Sequence, residues 1–157
     1  MTLTNARRVV RASAIYDLVT TVGFLPFLAP ALFGLLASAH LSLGLTGAPP
    51  DAADVYTVMF ANLMGGLVVV WSAFRLVRPS LLAGAADSAG RALFATGMAI
   101  AIVHGASSLL WPMLVLEVLW GVAQAVAVAV AWRTPDVEAE RLLALDRAAR
   151  AAAARTE

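Results

Sequence analysis

The chain has no cysteine, no lysine and only two histidines. Without cysteine there is no disulfide framework, no thiolate nucleophile, no cysteine-ligated metal and no thiol redox relay. With His40 and His104 as the whole histidine complement, no histidine-rich metal site is expected. Charge is scarce too: 13% of residues are charged, against about 25% in soluble domains. Eleven basic residues, all Arg, nearly balance ten acidic ones. That balance excludes a strongly basic nucleic-acid binder on electrostatic grounds. There is no phosphate loop, dinucleotide fingerprint, zinc signature or nucleophile elbow. The stretch "ANLMGG" lies inside an apolar run and lacks the lysine a phosphate loop needs. No cofactor is expected: a bis-histidine haem would need His40 and His104 at one depth, and they differ.

What is present is apolar. Hydrophobic residues make up 61% of the 157, and the mean hydropathy is +0.84. Soluble domains are roughly 45–50% apolar, so the composition points to an integral membrane protein. The start, "MTLTNARRVVRASAIYDLVTTVGFL", places a basic patch before an apolar run, as a signal peptide does. The run exceeds the roughly 7–15 residues of a signal core, and Asp17 interrupts it, so a retained first helix is expected.

A membrane helix needs about 20 mostly apolar residues. Residues 55–75 supply one span. Residues 91–132 hold two, 91–110 and 112–132, joined by a tight turn at "GASSLLWP", where Pro112 suits a helix start. The first apolar stretch would reach roughly 50 Å as a single helix. "FLPFLAP" breaks it, because Pro26 and Pro30 each remove a backbone donor and disfavour helix at the preceding residue. A first span over 12–29 is expected, then a short outer interfacial helix in "ALFGLLASAHLSLGL", then a loop.

Arginines set the orientation. Arg7, Arg8 and Arg11 precede the first span, Arg75, Arg78 and Arg91 bound the second loop, and Arg133 follows the last span. The intervening turns have none. The positive-inside rule places both termini in the cytoplasm of a cell whose inner membrane holds the chain. The expected fold is therefore all-α: a polytopic four-helix bundle over 1–133. A cytosolic C-terminal helix over 134–157 follows, capped by Thr134 and Pro135, with Asp146 and Arg150 paired at i,i+4. Rows of small residues (Gly97, Ala101 and Gly105; Gly121, Ala125 and Ala129; Ala61 and Gly65) suit close packing within the bundle or a homo-oligomer seam.

Polar groups inside lipid are costly and are functional candidates by default. Counted from the span ends, Asn62, His104 and Glu117 lie roughly 9–10 Å below the outer boundary. Glu117, Trp120 and Gln124 share a helix face. A second, cytoplasmic layer holds Asp17 about 8 Å from the inner end of its span. Arg75 or Arg91 can neutralise it, and Tyr16, Thr20, Thr21 and Ser72 are near in depth. His40 is expected to be solvated.

Three function classes use these residues. A binding protein would hold a lipid or lipophilic small molecule in an outer pocket lined by Asn62, His104, Glu117, Trp120, Gln124 and Tyr16, or would serve as an accessory membrane subunit. An enzyme would use Glu117 as acid or base with His104 and Asp17, on a lipophilic substrate. A proton-coupled transporter would link Glu117 and His104 through Gln124 to Asp17. Purely structural roles, an Asp17–Arg ion pair and a His104–Glu117 hydrogen bond, stand beside all three.

Overall fold

In a computed structural model the described residues are 2–133, with Leu145 and Arg147, both helical, beyond them. Apart from those two residues, the expected tail helix over 134–157, with Thr134 and the Asp146–Arg150 pair, lies outside the described residues. The all-helical expectation holds. Within residues 2–133 five helices follow one another: α1 (Leu3–Thr21), α2 (Ala29–Ser42), α3 (Val55–Val77), α4 (Leu81–Val103) and α5 (Leu110–Arg133). Among the described residues there is no strand, only one bridge pairing Ala48 with Ala106.

Local chemistry sets the helix ends. Thr2, Asp54 and Ser80 are side-chain N-caps for α1, α3 and α4, each satisfying backbone donors that a helix leaves open. The Thr57 hydroxyl, ahead of the backbone donors, holds the Asp54 carboxyl below its ordinary range. Gly105, at φ 91°, ends α4. The Ala106 amide reaches Ala101 O at 2.9 Å and the Gly105 amide reaches Ile102 O at 3.0 Å, the paired bonds of a Schellman cap, which needs a left-handed residue.

Three helices, α3, α4 and α5, are long and apolar enough to cross a membrane. Helices α1 and α2 pass the same test only as a pair, and they bend by 94° at their junction. The break comes earlier than the expected limit at residue 29. The Thr20 and Thr21 hydroxyls donate to the Tyr16 and Asp17 carbonyls at 3.0 and 2.6 Å, occupying last-turn acceptors. A 3₁₀ turn over Val22–Phe24 follows, and Pro26 cannot continue the ladder. Helix α4 also differs: it starts at Leu81 rather than at Arg91, because Ser80 caps it.

Helix α1 is the hub. It packs on α3 and α5 and, less extensively, on α4, while α4 and α5 form a closely packed hairpin. Gly84 admits the Val10 and Val128 side chains to the α1–α4–α5 junction; a Cβ there would lie 2.8 Å from each. Helices α3 and α4 share no close seam among the described residues. Polarity is inverted relative to a soluble protein. Ser13, Asp17, Ser72, Arg75, Asp87, Arg91, Glu117 and Gln124 are buried, while Leu63, Leu67, Leu93, Leu119 and Val126 are exposed. Such a surface suits a lipid environment, in keeping with the three candidate spans.

A candidate functional site of buried charge beneath an apolar cavity

Five ion pairs join five side chains from four helices. Arg75 on α3 is fully buried. It bonds Asp17 of α1 through Nη2 and Asp87 of α4 through Nη1, the latter at 2.6 Å. Arg91 on α4 donates to Asp17 at 2.6 Å, to Asp87 at 3.1 Å and to Glu117 of α5 at 2.9 Å. Ser13 accepts from both guanidiniums, at 3.1 Å from Arg75 and 2.9 Å from Arg91. The Trp71 indole donates to Asp87 Oδ1 at 2.8 Å. Gln124 donates to Asp87 Oδ2 and to the Gly84 carbonyl, each at 2.8 Å. Buried charges persist when paired and hydrogen-bonded in this way.

Asp17 therefore pairs with Arg75 and Arg91 together, not with one of them. Glu117 joins the same network. The two expected layers do not form. Arg91 is the reason: its stem passes Gly121 of α5, where an added Cβ would make ordinary contact with Arg91 Cβ at 3.5 Å. The arginine stem lies against the α5 backbone there, and its guanidinium reaches one turn along to Glu117. His104 does not meet Glu117. It is exposed at the end of α4, with Nδ1 donating to the Ile100 carbonyl at 2.8 Å. Asn62 is separate as well, in a small groove with Pro26, Val58 and Met59, its Oδ1 buried without a hydrogen bond. Tyr16 and Trp120 come together with ring centroids 5.7 Å apart, and the Arg91 guanidinium lies 5.8 Å from the Tyr16 ring.

His40 is a correction. Expected in solvent, it is buried, with Nδ1 2.8 Å from the Ser107 hydroxyl. That contact lies in a cap where the loop after α2 meets the α4–α5 turn. The Ala48 amide donates to Gly105 O, the Ser107 amide to Ala48 O and the Ser108 amide to Thr46 O, at 2.8–2.9 Å. Gly47, at φ 84°, lies so close that a Cβ would fall 2.3 Å from Ala106 O.

Asp87 was missed. With Arg91 as the span boundary, the sequence leaves it in the loop. Two signals pointed the other way: Ser80 as an N-cap, and Asp87 four residues before Arg91 on one helix face.

Above the network lies a cavity of about 770 Å³. Asp17, Asp87, Arg91 and Glu117 form its floor, with Tyr16 and Trp71 beside them. Leu67, Val68, Phe94, Met98 and Met113 form its walls, and the cap at Ala48, His104 and Ser107 its far end. From Asp87 to His104 the helical rise gives a span of roughly 25 Å. No family model, curated protein or solved structure matches the chain, so the chemistry of the site has to be read from its own residues.

Proposed function

We propose that this is a multi-pass membrane protein that binds a lipid or lipophilic small molecule in the cavity between α3 and α4. The spans are the bent α1–α2 pair, α3, α4 and α5, with both termini on the cytoplasmic side of the inner membrane. One observation carries the binding reading: the cavity is polar at one end and apolar along its walls. An amphiphile has the same asymmetry. Its chain would lie along Leu67, Phe94 and Met98, and its polar end would meet the floor. The volume falls within the roughly 300–1,000 Å³ of small-molecule sites. The open flank between α3 and α4 gives such a molecule access from lipid.

Gly90 allows a direct test. It lines the cavity, and a Cβ built on it meets nothing within 4 Å. Gly90→Phe therefore fills the cavity next to the floor without disturbing a packed seam. The wild type, purified in mild detergent, is expected to retain a lipophilic species visible by mass spectrometry of the extract. The variant is expected to lose it while keeping its elution volume and helix content. Identical extracts from the two proteins would remove the binding reading.

A further inference from the structure

We propose that the polar end of the cavity selects a cationic head group, such as the ammonium of a long-chain amine. This rests on the cavity being a ligand site, and it adds the class of ligand.

The first observation is charge. Asp17, Asp87 and Glu117 carry three negative charges against the two positive charges of Arg75 and Arg91. The other described arginines, Arg7, Arg8, Arg11, Arg78, Arg133 and Arg147, are exposed and outside the network. One negative charge is left over in a medium of low dielectric, where an unbalanced charge is costly. A bound proton or a bound cation removes the imbalance, and a ligand that supplies the cation does so without neutralising a carboxylate.

The second observation is which atoms are free. Asp17 uses both oxygens, one on each arginine. Asp87 uses both, on Trp71 and on the two arginines with Gln124. Glu117 uses only Oε2, on Arg91. Its Oε1 takes no hydrogen bond among the described residues, although the residue is only 8% exposed and lines the cavity. The arginine donors that line the cavity are in the opposite condition, and the one buried guanidinium nitrogen without a partner among the described residues, Arg75 Nε, belongs to a residue outside the lining. Every nitrogen of Arg91 already donates, and Arg75 does not reach the cavity. An anionic head would find the arginine charge already engaged. A cation finds a free carboxylate oxygen, with the Tyr16 and Trp71 rings beside it as further favourable partners.

The test uses full-length protein in a nonionic detergent with tritiated dodecylamine, read by scintillation proximity. Unlabelled dodecylamine, dodecanol and dodecanoate compete. They share a chain and differ in head charge. The amine is expected to displace label at a concentration about tenfold below the alcohol or the acid, the size of one charge-assisted hydrogen bond. Glu117→Gln is expected to erase that preference. Equal competition by the alcohol or acid, no binding of the amine, or an unchanged preference in Glu117→Gln would overturn the assignment. The wild-type series decides the matter even if that variant does not fold. Gly90→Phe separates the two proposals. If it loses the co-purifying lipophile while the wild type shows no cation preference, the cavity reading stands and the head-group assignment falls. If Gly90→Phe binds the amine as the wild type does, the amine is not in the cavity and the head-group assignment falls; the cavity reading falls only if the two extracts are also identical.

Discussion

Arg75 holds Asp17 and Asp87 together from a position with no solvent contact. Its loss would leave two carboxylates facing each other with only Arg91 between them. Removing one partner of a buried pair costs about 3–5 kcal/mol, and Arg75→Met is expected to fall in that range. Asp87→Asn should cost less. It removes the surplus negative charge, and the amide oxygen can stay on Arg75, Arg91 and Gln124, so that only the Trp71 hydrogen bond is lost. Thermal unfolding of both variants in one nonionic detergent checks the order, and a less stable Asp87→Asn would show that the network is not governed by its charge balance. At this scale the sequence was half legible. Asp17, Glu117 and Gln124 stood out because each interrupts an apolar run. Arg75 and Arg91 stood out as candidate partners of Asp17, but that both would pair with it and also reach Asp87 or Glu117 did not, since one arginine reaching two acids is a matter of rotamer and neighbour. Ser72 was legible by depth, and its hydroxyl accepts from Arg75 at 3.0 Å; Ser13 carries no signal, because a serine in a membrane helix usually bonds its own backbone. His104 misled for the opposite reason: a polar residue near a helix end can satisfy itself on the preceding turn.

Helix existence was readable, and helix ends were readable where a cap was. The spans at α3 and α5 follow from apolar runs bounded by charge. That rule failed at α4, where Arg91 lies inside the helix and points inward. The α1–α2 break was visible in Pro26 and Pro30, but its angle was not, because it depends on how Phe24 seats against α3. A Cβ on Gly65 would fall 2.5 Å from Phe24 Cβ. The small-residue rows are a similar case, since spacing alone does not say which glycine is packed. Gly84 is enclosed by Val10 and Val128, whereas Gly97 has nothing within 4 Å of an added Cβ. Gly84→Val is therefore expected to cost about 1–3 kcal/mol by overpacking. Gly97→Ala, on the same helix, is expected to be neutral or slightly stabilising. Melting curves of the pair decide it: equal losses would mean that the α1–α4–α5 junction is not close-packed at Gly84.

The whole molecule is turned inside out relative to a soluble fold, and this changes how its orientation is argued. By sequence, Arg75 and Arg91 belong to the charges that hold the α3–α4 connection in the cytoplasm. Both are buried in ion pairs, so their charges are neutralised within the bundle rather than presented to a membrane surface. Orientation then rests on the exposed Arg7, Arg8, Arg11, Arg78 and Arg133. All five lie at the α1 start, the α3–α4 connection or the α5 end, and none lies in the loop after α2 or the α4–α5 turn. The positive-inside rule still gives one answer for the proposed four spans, with fewer charges behind it. The absence of native cysteine makes it testable without background. Cysteine introduced at the exposed Asp51, in the loop after α2, is expected to react with a membrane-impermeant maleimide on intact cells. Cysteine at Arg78 is expected to react only after permeabilisation. The reverse pattern would mean an inverted protein or a bent α1–α2 pair that does not carry the chain across, and labelling at both sites from outside would mean that α3, which separates them, does not cross. The same measurement locates the cavity. In the proposed orientation the ion network lies toward the cytoplasmic face and the His40–Ser107 cap toward the outer one. An amphiphile would then be held with its head nearer the cell interior.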